Sequence, residues 1–366
     1  MTRTTLVAIT AFLLFLCIPL CIGCWNTGGG GGANDDSEGD DSQDDDIDDD
    51  AVDDDDAVDD DDQGSWEGIF TGTMETFYGV GGSSSTDVYS YGGAFWHFDG
   101  NSWSADEDQS PGYFEGMWGS SASDMIAVGL NYIYHYDGSN WQIMRQSDSS
   151  IHYYSIWGSD ETNVFVVGTD YNGGSEVGFV LRYNGANWTN IFEGAPSGVF
   201  RIWGSSPSDI FVVGDSYNQT DDAYKSLIYH FDGNSWTQMV KDKWYSLSGV
   251  WGSSPSDVFA VGGDIPTNVY IILHYDGSNW TEMTNGSNVQ PWDVWGSSAS
   301  DVFTIGYSGD ASPNHTGMIM HYDGHFWSRM TIPTVPALWG VWGTSSSNVY
   351  AVGEEGTILH YGGPGE

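Results

Sequence analysis

One short motif recurs along the chain and limits the fold more than any other feature. "VWGSSPSDVFAV" begins at Val250, and close copies begin at Met117, Ile202, Val294 and Val341. Aligned on the Trp-Gly step, the copies fall at Gly81, Trp118, Trp157, Trp203, Trp251, Trp295 and Trp342, with spacings of 37, 39, 46, 48, 44 and 47 residues. Repeats of this length with several short strands each are typical of β-propellers. The sequence therefore predicts an all-β chain folded as a seven-bladed β-propeller.

Each copy also contains the strands of one four-stranded antiparallel blade. In the fifth copy, residues 247–251 predict strand A, 258–262 strand B, 269–275 strand C and 280–283 strand D. The polar stretch "GSSPSD" predicts the A–B turn, and "DGSN", from the second recurring motif "HYDGSNW", predicts the C–D turn. Glycine in "DGSN" supplies the positive φ that a tight hairpin needs.

The two ends of the repeat region complement each other. The last copy stops at "HYGGPGE", just before its strand D is due, whereas "SWEGIF" (Ser65–Phe70) precedes the first strand A without a blade of its own. We expect this N-terminal segment to supply the outer strand of the last blade, which closes the ring without an open edge.

The N-terminus predicts export. Residues 1–23 have one basic residue, Arg3, and then an apolar run that ends in small residues, which is the pattern of a signal peptide. "LCIGC" resembles the bacterial lipobox, which implies that Cys24 is lipidated and becomes the mature N-terminus. An ordinary cleaved signal and an uncleaved anchor are the alternatives. All three cysteines lie in the first 24 residues, so the rest of the chain has no disulfide.

Residues 24–63 predict a disordered tether between Cys24 and the propeller at 64–366. Between Asp35 and Asp62, 19 of 28 residues are acidic and none is basic or aromatic, so the segment cannot form a core. It is a solvated spacer or, alternatively, a loose site for Ca²⁺, the one cofactor that the sequence leaves open. With a formal charge of −44, the chain is a poor partner for nucleic acid.

The repeats resemble two known groups of sequences. "YDGSNW" is similar to the Asp-box (BNR) turn of sialidase-type propellers, with Tyr or Phe replacing the Ser or Thr before the aspartate and one residue fewer between Asp and Gly. Over about 300 residues, the "WGSSPSDVFAVG" repeat resembles those of envelope lipoproteins from myxobacteria and related bacteria. The second resemblance implies a propeller anchored by lipid to the outer membrane or cell surface.

Sequence variation between copies indicates where function lies. The A–B and C–D turns hardly change, whereas the B–C and D–A loops, which a propeller places on the opposite face, vary in length. These loops carry aromatic rings beside carboxylates and amides, which suits a glycan or a basic protein surface. The alternative is packing between blades and drift in tolerant loops. The candidate ligand-binding residues are Asp170, Tyr171, Asn172, Tyr217, Asp221, Asp222, Tyr224, Trp244, Trp292 and Trp339.

No catalytic motif stands out. The chain contains no G-x-S-x-G, H-E-x-x-H or P-loop pattern, and "FRIW" at Phe200–Trp203, although similar to a sialidase motif, is this copy's version of "GVWG". Histidine recurs at one repeat position, which indicates a structural role. We expect a monomeric, non-catalytic recognition lipoprotein that binds a polysaccharide or a partner protein and touches the membrane only through its lipid. The alternatives are a glycoside-cleaving enzyme with two loop carboxylates and a scaffold for envelope complexes.

Overall fold

The computed structural model describes residues 64–106, 112–174, 176–195, 198–218, 223–240, 243–264, 269–283, 289–308 and 315–362. The predicted signal peptide, Cys24 and the acidic tether lie outside these residues. Asp221, Asp222 and the side chain of Tyr217 lie outside the description as well. No described helix is long and apolar enough to cross a membrane.

The described chain forms seven antiparallel sheets of four strands, here called blades, with strands A to D in chain order. Blades 1 and 2 consist of β2 (Phe77–Ser84), β3 (Asp87–Gly92), β4 (Trp96–Phe98), β5 (Trp103–Ala105), β6 (Gly116–Ser121), β7 (Asp124–Gly129), β8 (Tyr132–Tyr136) and β9 (Trp141–Gln146). Blades 3 and 4 consist of β10 (Ile151–Asp160), β11 (Asn163–Asp170), β12 (Val177–Tyr183), β13 (Trp188–Ala195), β14 (Val199–Ser206), β15 (Asp209–Asn218), β16 (Ala223–Phe231) and β17 (Trp236–Val240).

Blades 5 and 6 consist of β18 (Ser246–Ser254), β19 (Asp257–Asp264), β20 (Val269–Tyr275), β21 (Trp280–Met283), β22 (Val289–Ser298), β23 (Asp301–Ser308), β24 (Gly317–Tyr322) and β25 (Trp327–Arg329). Blade 7 consists of β26 (Leu338–Ser345), β27 (Asn348–Gly353), β28 (Ile358–Gly362) and β1 (Ser65–Ile69). A short 3-10 turn spans Asn172–Gly174. The predicted seven-bladed propeller is confirmed.

The ring closes as the sequence predicts. Each strand A contacts strand A of the next blade, and β26 of blade 7 contacts β2 of blade 1. The N-terminal strand β1 pairs with β28 from Ser65↔Gly362 to Ile69↔Ile358 and thereby completes blade 7. The outer strand of the last blade therefore comes from the start of the domain, which ties the two ends of the ring together.

Strand A is longer than predicted. In blade 5 it continues to Ser254, which pairs with Asp257 after a register shift that follows Gly252. The A–B turn is correspondingly shorter than the polar stretch "GSSPSD". Within it the Ser256 N–H donates to Ser254 Oγ at 3.3 Å, so serine side chains satisfy the turn backbone locally.

Seven hydrophobic clusters hold the blades together, one at each seam between neighbours. The Trp-Gly step explains part of this packing. The Trp203 ring of blade 4 lies over Gly252 of blade 5, where a Cβ would approach ring atoms to 2.7 Å. Trp251 lies over Gly296 of blade 6 in the same way. The repeated tryptophans are confirmed as contacts between blades, and the glycine after the tryptophan leaves space for the tryptophan ring of the preceding blade.

The repeated histidines complete a hydrogen-bond network inside each blade. In blade 5, His274 Nε2 lies 2.7 Å from Asp257 Oδ1, and Ser253 Oγ donates to the other carboxylate oxygen. Blade 7 replaces the aspartate by Asn348, whose Oδ1 lies 2.8 Å from His360 Nε2. Arg182 takes the place of histidine in blade 3 and donates to Asn163. The network joins strands A, B and C, so the recurring histidines have a structural role.

The A–B and C–D turns lie together on one face. A Cβ on Gly277, in the C–D turn of blade 5, would lie 2.7 Å from Ser256 Cβ in the A–B turn. Gly277 has a φ of +88°, the conformation predicted for glycine in "DGSN". We call this side the constant face, and the opposite side, which carries the B–C and D–A loops, the variable face.

Candidate functional site

The variable face carries most of the exposed hydrophobic side chains. Of nine large hydrophobic residues that are exposed in the described part of the chain, seven lie on this face, and they are Phe70, Met74, Tyr78, Leu130, Tyr171, Tyr224 and Trp244. Ile143 lies on an outer strand, and Phe326 lies in a C–D turn of the constant face. Exposed apolar surface is therefore more abundant on the variable face than on the constant face.

Bulges in the A strands build a ring at the centre of this face. In six blades the pairing of strands A and B skips one residue of strand A, and these are Tyr78, Tyr154, Phe200, Ser248, Trp292 and Trp339. Glu115 holds the same repeat position in blade 2, three residues before the Trp-Gly step. A bulge redirects a side chain out of the regular alternation. We call these seven residues the mouth ring.

Side chains of the mouth ring meet from blade to blade. The rings of Tyr154 and Phe200 have centroids 5.3 Å apart, and those of Trp292 and Trp339 are 4.8 Å apart in an edge-on arrangement. Tyr78 of blade 1 lies 6.0 Å from Tyr113, which leads into blade 2. Five of the seven mouth-ring residues are therefore aromatic, and two neighbouring pairs of them are in contact where the A strands begin.

Carboxylates surround this rim. Glu115 Oε1 lies 2.6 Å from Nε2 of His152 in blade 3. Burial raises the pKa of the Tyr78 hydroxyl, and the negative charges of Glu354, Glu115 and Glu75 raise it further. Three carboxylates thus act on the Tyr78 hydroxyl, and their negative charges favour cationic groups of a ligand there.

A buried carboxyl group lies between blades 4 and 5 on the same face. Asp215, in β15, accepts a hydrogen bond from the Ser246 hydroxyl at the start of β18. Burial raises the pKa of Asp215 to about 7; the Ser246 hydrogen bond opposes this rise, and the charge of Glu176 adds to it. Asp215 therefore exchanges its proton near neutral pH and couples the two blades.

The structure places the predicted site residues in three groups. Asp170 Oδ1 accepts the Asn172 N–H at 2.8 Å, which shapes the B–C loop of blade 3, and the Tyr171 hydroxyl hydrogen-bonds that of Tyr154 in the mouth ring. Tyr224 and Trp244 form a second group, in which Trp244 is 54% exposed. Lys225 Nζ lies 4.8 Å from the centroid of the Trp244 ring.

Trp292 and Trp339 form the third group. Trp339 is buried and also packs against Tyr307, so the alternative of packing between blades describes this residue well. Trp292 is only partly buried. Both belong to the A strands at their bulges, whereas the sequence placed them just before the strands.

Sequence reasoning missed several residues that the structure brings to this face. Phe70 and Met74, 95% and 74% exposed, lie in the loop from β1 to β2, beside a cavity of about 360 Å³. Tyr78, Phe200 and Glu115 belong to the mouth ring. A partial signal was available, because the position three residues before each Trp-Gly step varies widely, whereas the residue just before the step is always aliphatic or Met.

A larger groove, of about 670 Å³, lies on the constant face at the seam of blades 7 and 1. Short hydroxyl side chains of the A–B turns line it, and its aromatic residues Phe98 and Tyr350 pack against one another at 6.5 Å. Repeated structural residues thus build this groove, whereas the variable face presents exposed rings. Among the described residues, no group of three or more His, Cys, Asp or Glu side chains could hold a metal ion.

Solved propellers share this fold at low sequence identity. YCF48 from Cyanidioschyzon merolae gives a TM-score of 0.59 at 12% identity, over 81% of this chain and 99% of that one. A structure of YCF48 bound to D1 peptide gives 0.59 at 14%, over 81% and 96%. The WD40 propeller domain of Doa1 gives 0.59 at 10%, over 82% and 96%. No family profile and no curated protein matches the chain. At such identities the likeness shows a shared propeller fold.

Proposed function

We propose that this protein is a non-catalytic binding module that holds a polypeptide segment of a partner protein on its variable face. The observation that carries the proposal is the gathering of seven exposed hydrophobic side chains around an aromatic mouth ring. Aromatic rings dominate the binding energy of many protein interfaces, and the negative charges beside Tyr78 favour basic side chains in the partner. YCF48, which has the same fold, binds a D1 peptide.

The module acts, in this proposal, at the bacterial cell envelope, exported by residues 1–23 and anchored through lipidated Cys24. The sequence supports this arrangement, because one basic residue and an apolar run in residues 1–23 are followed by the lipobox-like "LCIGC" that ends at Cys24.

Selection from a peptide display library tests the binding role. Protein with Cys24→Ser, which removes the predicted acyl acceptor, is used to select peptides, and their dissociation constants are then measured. We expect Trp244→Ala and Tyr78→Ala to weaken binding about tenfold, as truncation of a contact aromatic does. Phe326→Ala, at an exposed ring on the constant face, is the matched control.

A glycan array, run with calcium and with chelator, separates this proposal from the predicted polysaccharide ligand. Suppose that the protein retains a glycan class, that Trp244→Ala abolishes this retention and that no peptide is selected. The ligand is then a carbohydrate and not a polypeptide. Equal loss of peptide binding in Phe326→Ala would contradict the assignment to the variable face.

A further inference from the structure

A single arginine lies at the centre of the propeller. Arg201 of β14 is two residues before its Trp-Gly step, just inside the mouth ring. The other blades have Gly79, Gly116, Ser155, Gly249, Asp293 and Gly340 at this position, which we call the inner ring. Inner-ring residues adjoin one another, because a Cβ on Gly249 would lie 3.0 Å from Asp293 Cα. Four of the seven have no side chain, so Arg201 is by far the largest residue of this ring.

The charge of Arg201 acts on three other blades. Burial raises the pKa values of Tyr91 in blade 1, Tyr113 at the entry to blade 2 and Asp293 in blade 6, and the positive charge of Arg201 opposes the rise at each. A guanidinium attached to blade 4 reaches these groups only from inside the ring. Together with the position of Arg201 on β14, the innermost strand of blade 4, this directs its charge to the central channel beneath the mouth ring.

The guanidinium has free hydrogen-bonding capacity. Its Nη1 donates to the Phe200 carbonyl at 3.1 Å, and no carboxylate oxygen of the described residues lies within 4.0 Å of it. Asp293, the acidic residue of the inner ring, instead accepts the backbone N–H groups of Val294 and Val341. Arginine offers five N–H donors in a fork that matches a carboxylate. A half-buried charge with open donors is stabilised by an anionic ligand group.

We infer that Arg201 binds a carboxylate group of the ligand at the centre of the mouth ring. This inference rests on the proposed binding of a polypeptide and names the group that enters the channel. The carboxylate belongs to a chain terminus or to an Asp or Glu side chain. Asp293 in the same inner ring opposes the binding of a second anion, so the site suits a single carboxylate and not a run of acidic residues.

Two isosteric probes test the charge preference directly. The affinities of 3-phenylpropanoate and of the neutral 3-phenylpropanamide are measured by ligand-observed NMR on the protein with Cys24→Ser. Their shared phenyl group suits the aromatic rim, and only the first carries a carboxylate. We expect the carboxylate to bind about tenfold more tightly, as a charge-assisted hydrogen bond implies. Equal binding of the two probes, or binding of neither, overturns the inference, and this comparison needs no variant to fold.

Variants assign the effect to the residue. Arg201→Gln abolishes the preference for 3-phenylpropanoate, and Arg201→Lys, which keeps the charge but not the fork, retains part of it. Arg329→Gln removes the same charge from an exposed position on β25 and leaves the preference unchanged. Equal losses in Arg201→Gln and Arg329→Gln overturn the inference, because they show a general charge effect.

The selected peptides distinguish the source of the carboxylate. Loss of binding on amidation of the C-terminus identifies a terminal carboxylate, whereas loss on replacing Asp or Glu by Asn or Gln identifies a side chain. If peptides bind the mouth ring and neither change matters, the Arg201 inference fails and the proposed function stands. If no peptide binds but the probe preference holds, the proposed function fails and the carboxylate site stands.

Discussion

The contact between tryptophan and glycine at each seam predicts the cost of adding one methyl group. In Gly252→Ala, the new Cβ would lie 2.7 Å from Trp203 Cη2 and 2.7 Å from the Asp257 carbonyl oxygen. Carbon atoms pack best at about 3.5 to 4 Å, so the ring must move by about 1 Å within a packed seam. Overpacking of this kind costs about 2 kcal/mol, which corresponds to an increase of about 30-fold in the unfolding constant.

Urea unfolding followed by tryptophan fluorescence measures this loss. Gly68→Ala is the matched control, because its Cβ would meet only Leu359 Cδ2 at 3.9 Å. We expect that variant to be as stable as the wild type or slightly more stable. In a Trp203→Leu background, Gly252→Ala costs less, since part of the clash is gone. Similar unfolding midpoints for Gly252→Ala and Gly68→Ala would refute the account of the Trp-Gly step.

Three further predictions concern single residues. Asp215, whose pKa rises to about 7 on folding, binds a proton in the native state that the unfolded chain releases near pH 4. The free energy of unfolding should therefore fall as pH rises from about 4 to 7. In Asp215→Asn, the unfolding midpoint should depend less on pH over that range. Asp87→Asn should cost less than about 1 kcal/mol, because blade 7 uses Asn348 in this network. Asp87→Ala should cost about 2 kcal/mol by calorimetry, since it leaves the partly buried side chains of His97 and Ser83 without this partner. Met125→Ala should cost about 3 kcal/mol in urea unfolding, because this buried side chain fills the seam where blade 1 has Gly81 in place of the tryptophan of the Trp-Gly step.

Much of the architecture follows from the repeat alone. Residues that recur once per blade have the same neighbours in every copy, so their spacing predicts blade number and strand order. The unpaired segment at Ser65 likewise predicted the closure, because a four-stranded blade needs an outer strand and β28 would otherwise have a free edge. These inferences use only local periodicity and the requirement that every strand be paired.

The site could be predicted only in part, because it depends on features that periodicity does not show. A bulge is a register shift of one residue, and the alternation of apolar and polar residues in strand A does not reveal it. The sequence around Phe200 therefore did not indicate that this residue belongs to the mouth ring. The position of Arg201 depends on closure of the whole ring, since its neighbours Tyr91 and Asp293 come from distant copies.

Two positions of strand A, four residues apart, show how the fold separates structure from recognition. Gly252, one residue after Trp251, must be small because the ring of Trp203 covers it. Three residues before the Trp-Gly step, in contrast, six of the seven blades have a bulge, and the surroundings differ from blade to blade. Trp292 and Trp339 pack against hydrophobic clusters, whereas Glu115 lies beside His152. The propeller therefore accepts residues as different as Tyr78, Glu115 and Ser248 at that position. A ligand that lies across the mouth ring meets side chains that differ from blade to blade, and this variation allows one scaffold to acquire a specific partner.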